Sequence, residues 1–160
     1  MALAAILASA CADGAAIGRL DEAIRRGDAG AVREHLAAGV SANASLPDGW
    51  TPLTLAAHLG YLDIVNAVAD AGADLEHARR VGVERQWTAL GWAATGGHRE
   101  VVESLLARGA RLEARSSRHQ TPLMAAALGG HPGIVSRLVD AGADEQATDA
   151  SGRTARELLP

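Results

Sequence analysis

Six histidines, one cysteine and a Gly-Gly pair are the residues of this chain best suited to chemistry. Cys11 is the only cysteine, so it can form neither an intrachain disulfide nor a cysteine-based zinc site. His35, His58, His77, His98, His119 and His131 include no pair at i, i+3 or i+4, the spacings that let one helix offer two ligands to a metal. Nothing in the sequence brings Cys11 beside His35 as a nucleophile and base. Gly96-Gly97 is not followed by the Lys of a phosphate loop, and it falls in register with Gly60 and Gly130, which makes it a helix terminator. The chain has no Gly-x-Ser-x-Gly elbow and no His-Glu-x-x-His helix. No catalytic residue, metal or cofactor is expected, and the chain is read as a non-enzyme.

The bulk properties agree with a small folded domain. Of 160 residues, 48% are apolar and 2% aromatic, with a formal net charge of −4. Compact single cores rely on large aromatics, whereas this chain relies on Ala, which suits thin, closely stacked helices. All 15 basic residues are Arg, an Ala- and Arg-rich style that suggests a bacterial source. Residues 1–15 read as an N-terminal tail or helical cap. They also admit a short signal segment ending at Ser9-Ala10-Cys11, although no basic residue precedes the apolar run. The localisation expected is cytoplasmic, with periplasmic or lipid-anchored at Cys11 as the alternative if the N-terminus is a truncated lipoprotein signal.

The elements that position these residues follow from a repeat. Gly39, Gly72, Gly109 and Gly142 are separated by 33, 37 and 33 residues, and Gly27, Gly60, Gly97 and Gly130 show the same separations. Thr51, Thr88, Thr121 and Thr154 give 37, 33 and 33. The period is therefore 33, with one four-residue insertion. Thr51-Pro52-Leu53 and Thr121-Pro122-Leu123 begin helices, with Thr as the cap and Pro at the first position, where no N–H is needed. Leu53/Ala56/Ala57, Leu90/Ala93/Ala94 and Leu123/Ala126/Ala127 mark one face of a first helix. Ile64/Val65/Val68, Val101/Val102/Leu105/Leu106 and Ile134/Val135/Leu138/Val139 mark a second.

With Asp48-Gly49-Trp50-Thr51-Pro52-Leu53 and Ala71-Gly72-Ala73-Asp74, these features resemble the ankyrin-repeat family over about residues 16–160. The resemblance implies an all-α repeat solenoid of antiparallel helix pairs joined by β-turn or hairpin loops. The units expected are an N-terminal cap at 16–46, internal units at 47–80 and 81–116, a fourth at 117–148 and a partial C-cap at 149–160. His98 and His131 match the family's structural Gly-His start of the second helix, a slot that Tyr61 fills in the second unit. Four departures stand out. The signature His is Thr54, Gly91 or Met124, so its bond to the capping Thr should be missing. Ala89 replaces Pro. His119 replaces the turn Gly, which disturbs the expected turn. Trp92 stands where other units have Leu55 or Ala125, so packing there should be looser or shifted.

In this family partners are met at turn tips and exposed first-helix positions, which implies Asp48, Trp50, His58, Leu59, Trp87, Thr95, Gln120 and Leu128. The insertion adds Arg79, Arg80 and Arg85 to the turn before Trp87, whose ring is expected to face the groove as an anchor. Residues 79–118, which include Arg118, carry a net +4 against −8 for the remainder, a distribution that would steer an acidic protein surface to the middle units. Nucleic acid fits poorly with the overall negative charge and few aromatics, and no small-molecule substrate is expected. The reading is a protein-binding scaffold or adaptor, monomeric alone; the alternative is an inhibitor or regulator of a partner enzyme or toxin.

Overall fold

The structure, a computed structural model, describes residues 2–78 and 86–159, with side chains from Gly14 onward. Among the described residues it is an all-α repeat solenoid without strands. The helices are α1 (Ala2–Arg25), α2 (Ala29–Ala37), α3 (Pro52–Leu59), α4 (Leu62–Asp70), α5 (Ala89–Gly96), α6 (Arg99–Ala107), α7 (Pro122–Leu128) and α8 (Pro132–Asp140), followed by a 3₁₀ turn at Arg156–Leu158. Consecutive helices form hairpins. The odd-numbered helices pack on one another as one layer and the even-numbered helices as the other. The 3₁₀ turn packs on α7, where the first helix of a further unit would sit.

The helix starts follow the sequence, with one correction. Pro52 and Pro122 open α3 and α7, and the Thr51 hydroxyl accepts from Thr54 N at 3.2 Å. Thr54 does what the absent histidine was expected to leave undone. Its Oγ1 accepts from Thr51 N at 2.9 Å and lies 2.9 Å from Thr51 Oγ1, closing a capping box. At α5, Ala89 is the first residue and the Thr88 side chain makes no capping bond.

The core is thin because it is made of small residues. Ala56, Ala57, Ala93, Ala94, Ala126 and Ala127 are all 0% exposed, which lets the first helices approach closely. In the other layer Val32, Val65 and Val102, in register, are also 0% exposed. Leu20, Ala23 and Ile24 bury the C-terminal part of α1 in the same way. The backbone of α1 runs unbroken through the expected boundary at residue 15.

Polar contacts join the units in register too. Asn43 Oδ1 accepts from Asp74 N at 2.8 Å, Glu76 Oε1 from Arg111 N at 2.8 Å, and Glu113 Oε1 from Asp144 N at 2.9 Å. Between α4 and α6, Ser104 donates to Asn66 at 2.6 Å and Arg108 meets Asp70 at 2.7 Å.

Candidate partner-binding face

Each described turn tip is closed by the same pair of backbone bonds. Leu46 N donates to Trp50 O at 2.8 Å and Gly49 N to Leu46 O at 2.8 Å. The second tip repeats this through Ser116 and Gln120 and the third through Asp149 and Arg153, each at 2.9 Å. His119, at the turn-glycine position, adopts φ 59° and still donates to Ser116 O at 2.9 Å. The expected disturbance of the turn is therefore corrected: the geometry is kept and the residue bears the strain. Adjacent tips are tied to each other by Ala150 N to Arg118 O at 3.1 Å and Arg115 Nη1 to Thr148 O at 2.9 Å.

Sequence reading missed the side chains that hold these tips. Ser116 Oγ accepts from Arg118 N and Gln120 N, each at 3.2 Å. In register, Asp149 Oδ1 accepts from Ser151 N at 2.8 Å and Arg153 N at 3.0 Å, and Oδ2 meets the Arg153 guanidinium at 2.9 Å. Burial opposes ionisation of Asp149, but the Arg153 and Ser151 donors outweigh it and hold its carboxyl below the ordinary value. The Glu157 carboxyl is lowered by the backbone N–H and hydroxyl of Thr154. The glycine spacing that gave the repeat carried the signal for this slot, since residues 116 and 149 are one period apart.

The histidines on the second helices stitch units together. His98 Nε2 lies 3.0 Å from His58 O and His131 Nε2 lies 3.0 Å from Thr95 O. Only glycine leaves room for the first ring, because a Cβ on Gly60 would sit 2.4 Å from His98 Nδ1. Among the described residues no three His, Cys, Asp or Glu side chains converge on a common point, and no helix is long and apolar enough to cross a membrane.

The partner-facing candidates divide by burial. Asp48, His58 and Arg118 are exposed, and Leu59, Thr95 and Leu128 are half-buried. Asp48 meets Arg25 at 2.9 Å, and the Thr95 hydroxyl donates to Gly91 O at 3.0 Å. Trp87 is 1% exposed, Gln120 3% and Trp50 7%. The expectation that the Trp87 ring faces the groove is thus corrected: it lies in the core, against Gly91 of the helix α5 that follows it. Arg79, Arg80, Arg85 and most of the inserted turn lie outside the described residues. Two central arginines of the basic segment are engaged, Arg99 with Glu103 at 3.0 Å and Arg108 with Asp70 at 2.7 Å.

A different aromatic group emerges. Trp50 stacks on His58 with centroids 5.2 Å apart; Trp92 lies 4.8 Å from Trp50 and meets His58 edge-on at 4.9 Å. The three rings belong to two consecutive units. Trp92 is half-buried, whereas Leu55 and Ala125, its equivalents, are 2% and 0% exposed. The misfit expected at Trp92 is real, and it is resolved by the neighbouring rings. Its size against its equivalents was the visible clue.

Comparison with known proteins matches this architecture. The family model for ankyrin repeats in three copies matches residues 20–116, and that for ankyrin repeats in many copies matches residues 109–159. The chain is 42% identical over 75 residues to the ankyrin repeat and KH domain-containing protein mask of Drosophila melanogaster, covering 47% of this chain and 2% of that protein. It is 36% identical over 107 residues to the ankyrin repeat, SAM and basic leucine zipper domain-containing protein 1 of Echinops telfairi, covering 64% of this chain and 22% of that protein. The Oryctolagus cuniculus counterpart is 34% identical over the same length, again covering 64% of this chain and 22% of that protein. The chain therefore spans about a fifth or less of these relatives. They are animal proteins, so they give no support to the bacterial source read from composition.

Proposed function

The chain belongs to the ankyrin-repeat family, whose repeats are generally protein–protein interaction modules without enzymatic activity, and from that premise we propose that it is a scaffold or adaptor gripping a partner protein in the groove of its first helices. The observation that carries this reading is Trp92. A position sealed by Leu55 and Ala125 in the neighbouring units holds here a half-buried indole, packed against Trp50 and His58. Trp is enriched among residues that dominate binding energy, and a ring fixed by packing loses little entropy on contact. Leu59, Thr95 and Leu128, half-buried on successive first helices, extend the surface along the groove. Asp48 and Arg118 flank it at the turn tips.

Photo-cross-linking residues placed one at a time in the full chain test this. Groove positions Leu59, Thr95 and Leu128 should capture the same protein from the source cell, and Asp63 and Glu100 on the second helices should not. Trp92→Ala should abolish the groove adducts while leaving the circular dichroism spectrum intact. Adducts formed chiefly at Asp63 and Glu100 would place the partner on the opposite face and overturn the reading.

A further inference from the structure

The charged residue of a turn tip is answered from within the chain in one part of the groove and not in another. Asp48, at the tip of the second unit, meets Arg25 of α1 at 2.9 Å, 23 positions earlier in the chain. In the fourth unit Arg118 holds the place of Asp48, and the same offset falls on Thr95, which carries no charge. Arg118 is exposed, and among the described residues no carboxylate lies within ion-pair distance of it. Arg115 beside it donates to His119 O at 3.0 Å and to Thr148 O at 2.9 Å, so its charge also faces carbonyls rather than a carboxylate. The second tip is thus compensated and the fourth is cationic.

The floor between these tips offers carbon. Trp92 is half-buried, but its indole N–H is buried without an acceptor among the described residues, so the ring turns only carbon to the groove. The Thr95 hydroxyl donates to Gly91 O at 3.0 Å. The carbonyls of His58 and Thr95, at the ends of α3 and α5, lie 3.0 Å from His98 Nε2 and His131 Nε2. Leu59 and Leu128 add half-buried hydrocarbon. An extended segment laid on this floor would leave backbone groups without partners, and a proline-rich one would find no indole N–H for its carbonyls. An α-helix brings its backbone bonds with it.

We propose that the partner element is an amphipathic α-helix lying along the groove across α3, α5 and α7, with a carboxylate that meets Arg118 as Asp48 meets Arg25. This rests on the groove reading given for Trp92 and adds the chemistry of what the groove holds. Packed helices lie about 8–10 Å apart, close to two helical turns of about 5.4 Å each. The partner helix therefore returns one face to each unit about every seven residues. Its apolar anchors fall over Leu59, over Trp92 and Thr95, and over Leu128, with the acidic residue within a turn of the central anchor.

The probe is a phage-displayed library of random peptides of about 18 residues, enough for three such anchors, selected on the full chain. Selected clones should carry Leu, Ile or Phe at seven-residue spacing with Asp or Glu near the central one. As synthetic peptides they should become helical on binding, read by circular dichroism. Trp92→Ala should weaken them about thirtyfold or more, the loss of a hot spot. Leu128→Glu should weaken them as well, at a position where a folding defect of the aromatic group plays no part. Arg118→Glu should weaken binding by about two- to fivefold, and a peptide with lysine in place of its acid should restore it. Proline-rich or extended clones that still require Trp92 overturn the helix and leave the groove reading in place. Clones indifferent to both Trp92→Ala and Leu128→Glu overturn the two together. The absence of any clone, or failure of the charge swap, overturns the inference.

Discussion

The Trp87 indole lies on Gly91 so closely that a Cβ at Gly91 would sit 2.7 Å from Trp87 Cε3. Gly91 stands where the family has its signature histidine, and the missing side chain is what makes room for the ring. Trp87 and Trp50 occupy equivalent places before the threonine at a helix start, yet they do different work. Trp50 stacks on His58 and lies tilted against Trp92, whereas Trp87 fills the space that Gly91 leaves in the third unit. The indole N–H of Trp87 is buried without a hydrogen-bond partner among the described residues, whereas a buried Trp N–H usually has one; the ring is held here by its fit against Gly91.

Gly91→Ala should therefore destabilise the protein even though Ala is the better helix former. Propensity alone favours Ala by about 1 kcal/mol, but overpacking costs about 1–3 kcal/mol, and the contact at 2.7 Å involves a ring with no free end to swing away. A net loss of about 1 kcal/mol is expected in urea denaturation. In the background of Trp87→Leu the same change should become stabilising. Stabilisation by Gly91→Ala in the wild-type background would show that the ring shifts freely.

His119→Gly should stabilise the fourth unit. His119 holds φ 59° in a turn whose equivalents are Gly49 at 74° and Gly152 at 78°. An L-residue in the left-handed region costs about 1–2 kcal/mol, and glycine gives part of this back through its freer unfolded chain. The expected gain is about 0.5–1 kcal/mol, read as a higher Tm. An unchanged Tm would mean that the His119 side chain supplies a compensating contact.

Period, helix faces, the Thr-Pro helix starts and the place of His98 and His131 at the start of a second helix were legible in the sequence because each depends on local chemistry repeated in register, whereas the bonds of these histidines to the preceding unit were not. Burial of individual tip residues was not. Trp50, Trp87 and Gln120 share one slot, and its depth depends on what the next helix presents, Gly91 in the case of Trp87. The Thr51–Thr54 box was also missed, because the expected loss of one bond hid the fact that a second threonine can close it. Trp92 was recognised as a misfit but not as part of a surface, since its partners Trp50 and His58 lie one unit away.

The last turn should loosen in acid. Asp149 has its carboxyl lowered in the folded chain, where the donors of Arg153 and Ser151 outweigh its burial. A depressed folded value means that the stabilisation is fully present above the unfolded value of about 3.9 and is lost as pH falls through the folded one. Amide exchange at residues 149–158 should accelerate over that interval ahead of exchange in α5 and α7. Asp149→Asn should remove the acid-dependent step while raising exchange at neutral pH. An Asp149→Asn chain that kept the same acid step would assign it to another carboxyl, with Glu157 the next to examine.

Leu105→Ala and Leu138→Ala compare the middle of the stack with its end. The two leucines are one period apart, both 0% exposed, and each lies at the same point of a second helix. As isolated core truncations both should cost about 2–5 kcal/mol. Their consequences should differ, because in a solenoid each unit is stabilised only by its neighbours. α6 lies between α4 and α8, and its unit is tied on one side by Glu76 to Arg111 and on the other by Glu113 to Asp144. Weakening it separates the first two units from the last, so Leu105→Ala should lower exchange protection in α4 and α8 alike. Among the described residues α8 touches a second-helix neighbour on one side only. Leu138→Ala should therefore open α8 and the 3₁₀ turn while leaving α3 and α4 close to wild-type protection. Exchange measured residue by residue distinguishes the cases, and an equal loss throughout the chain in both variants would show that the molecule unfolds as one cooperative core rather than unit by unit.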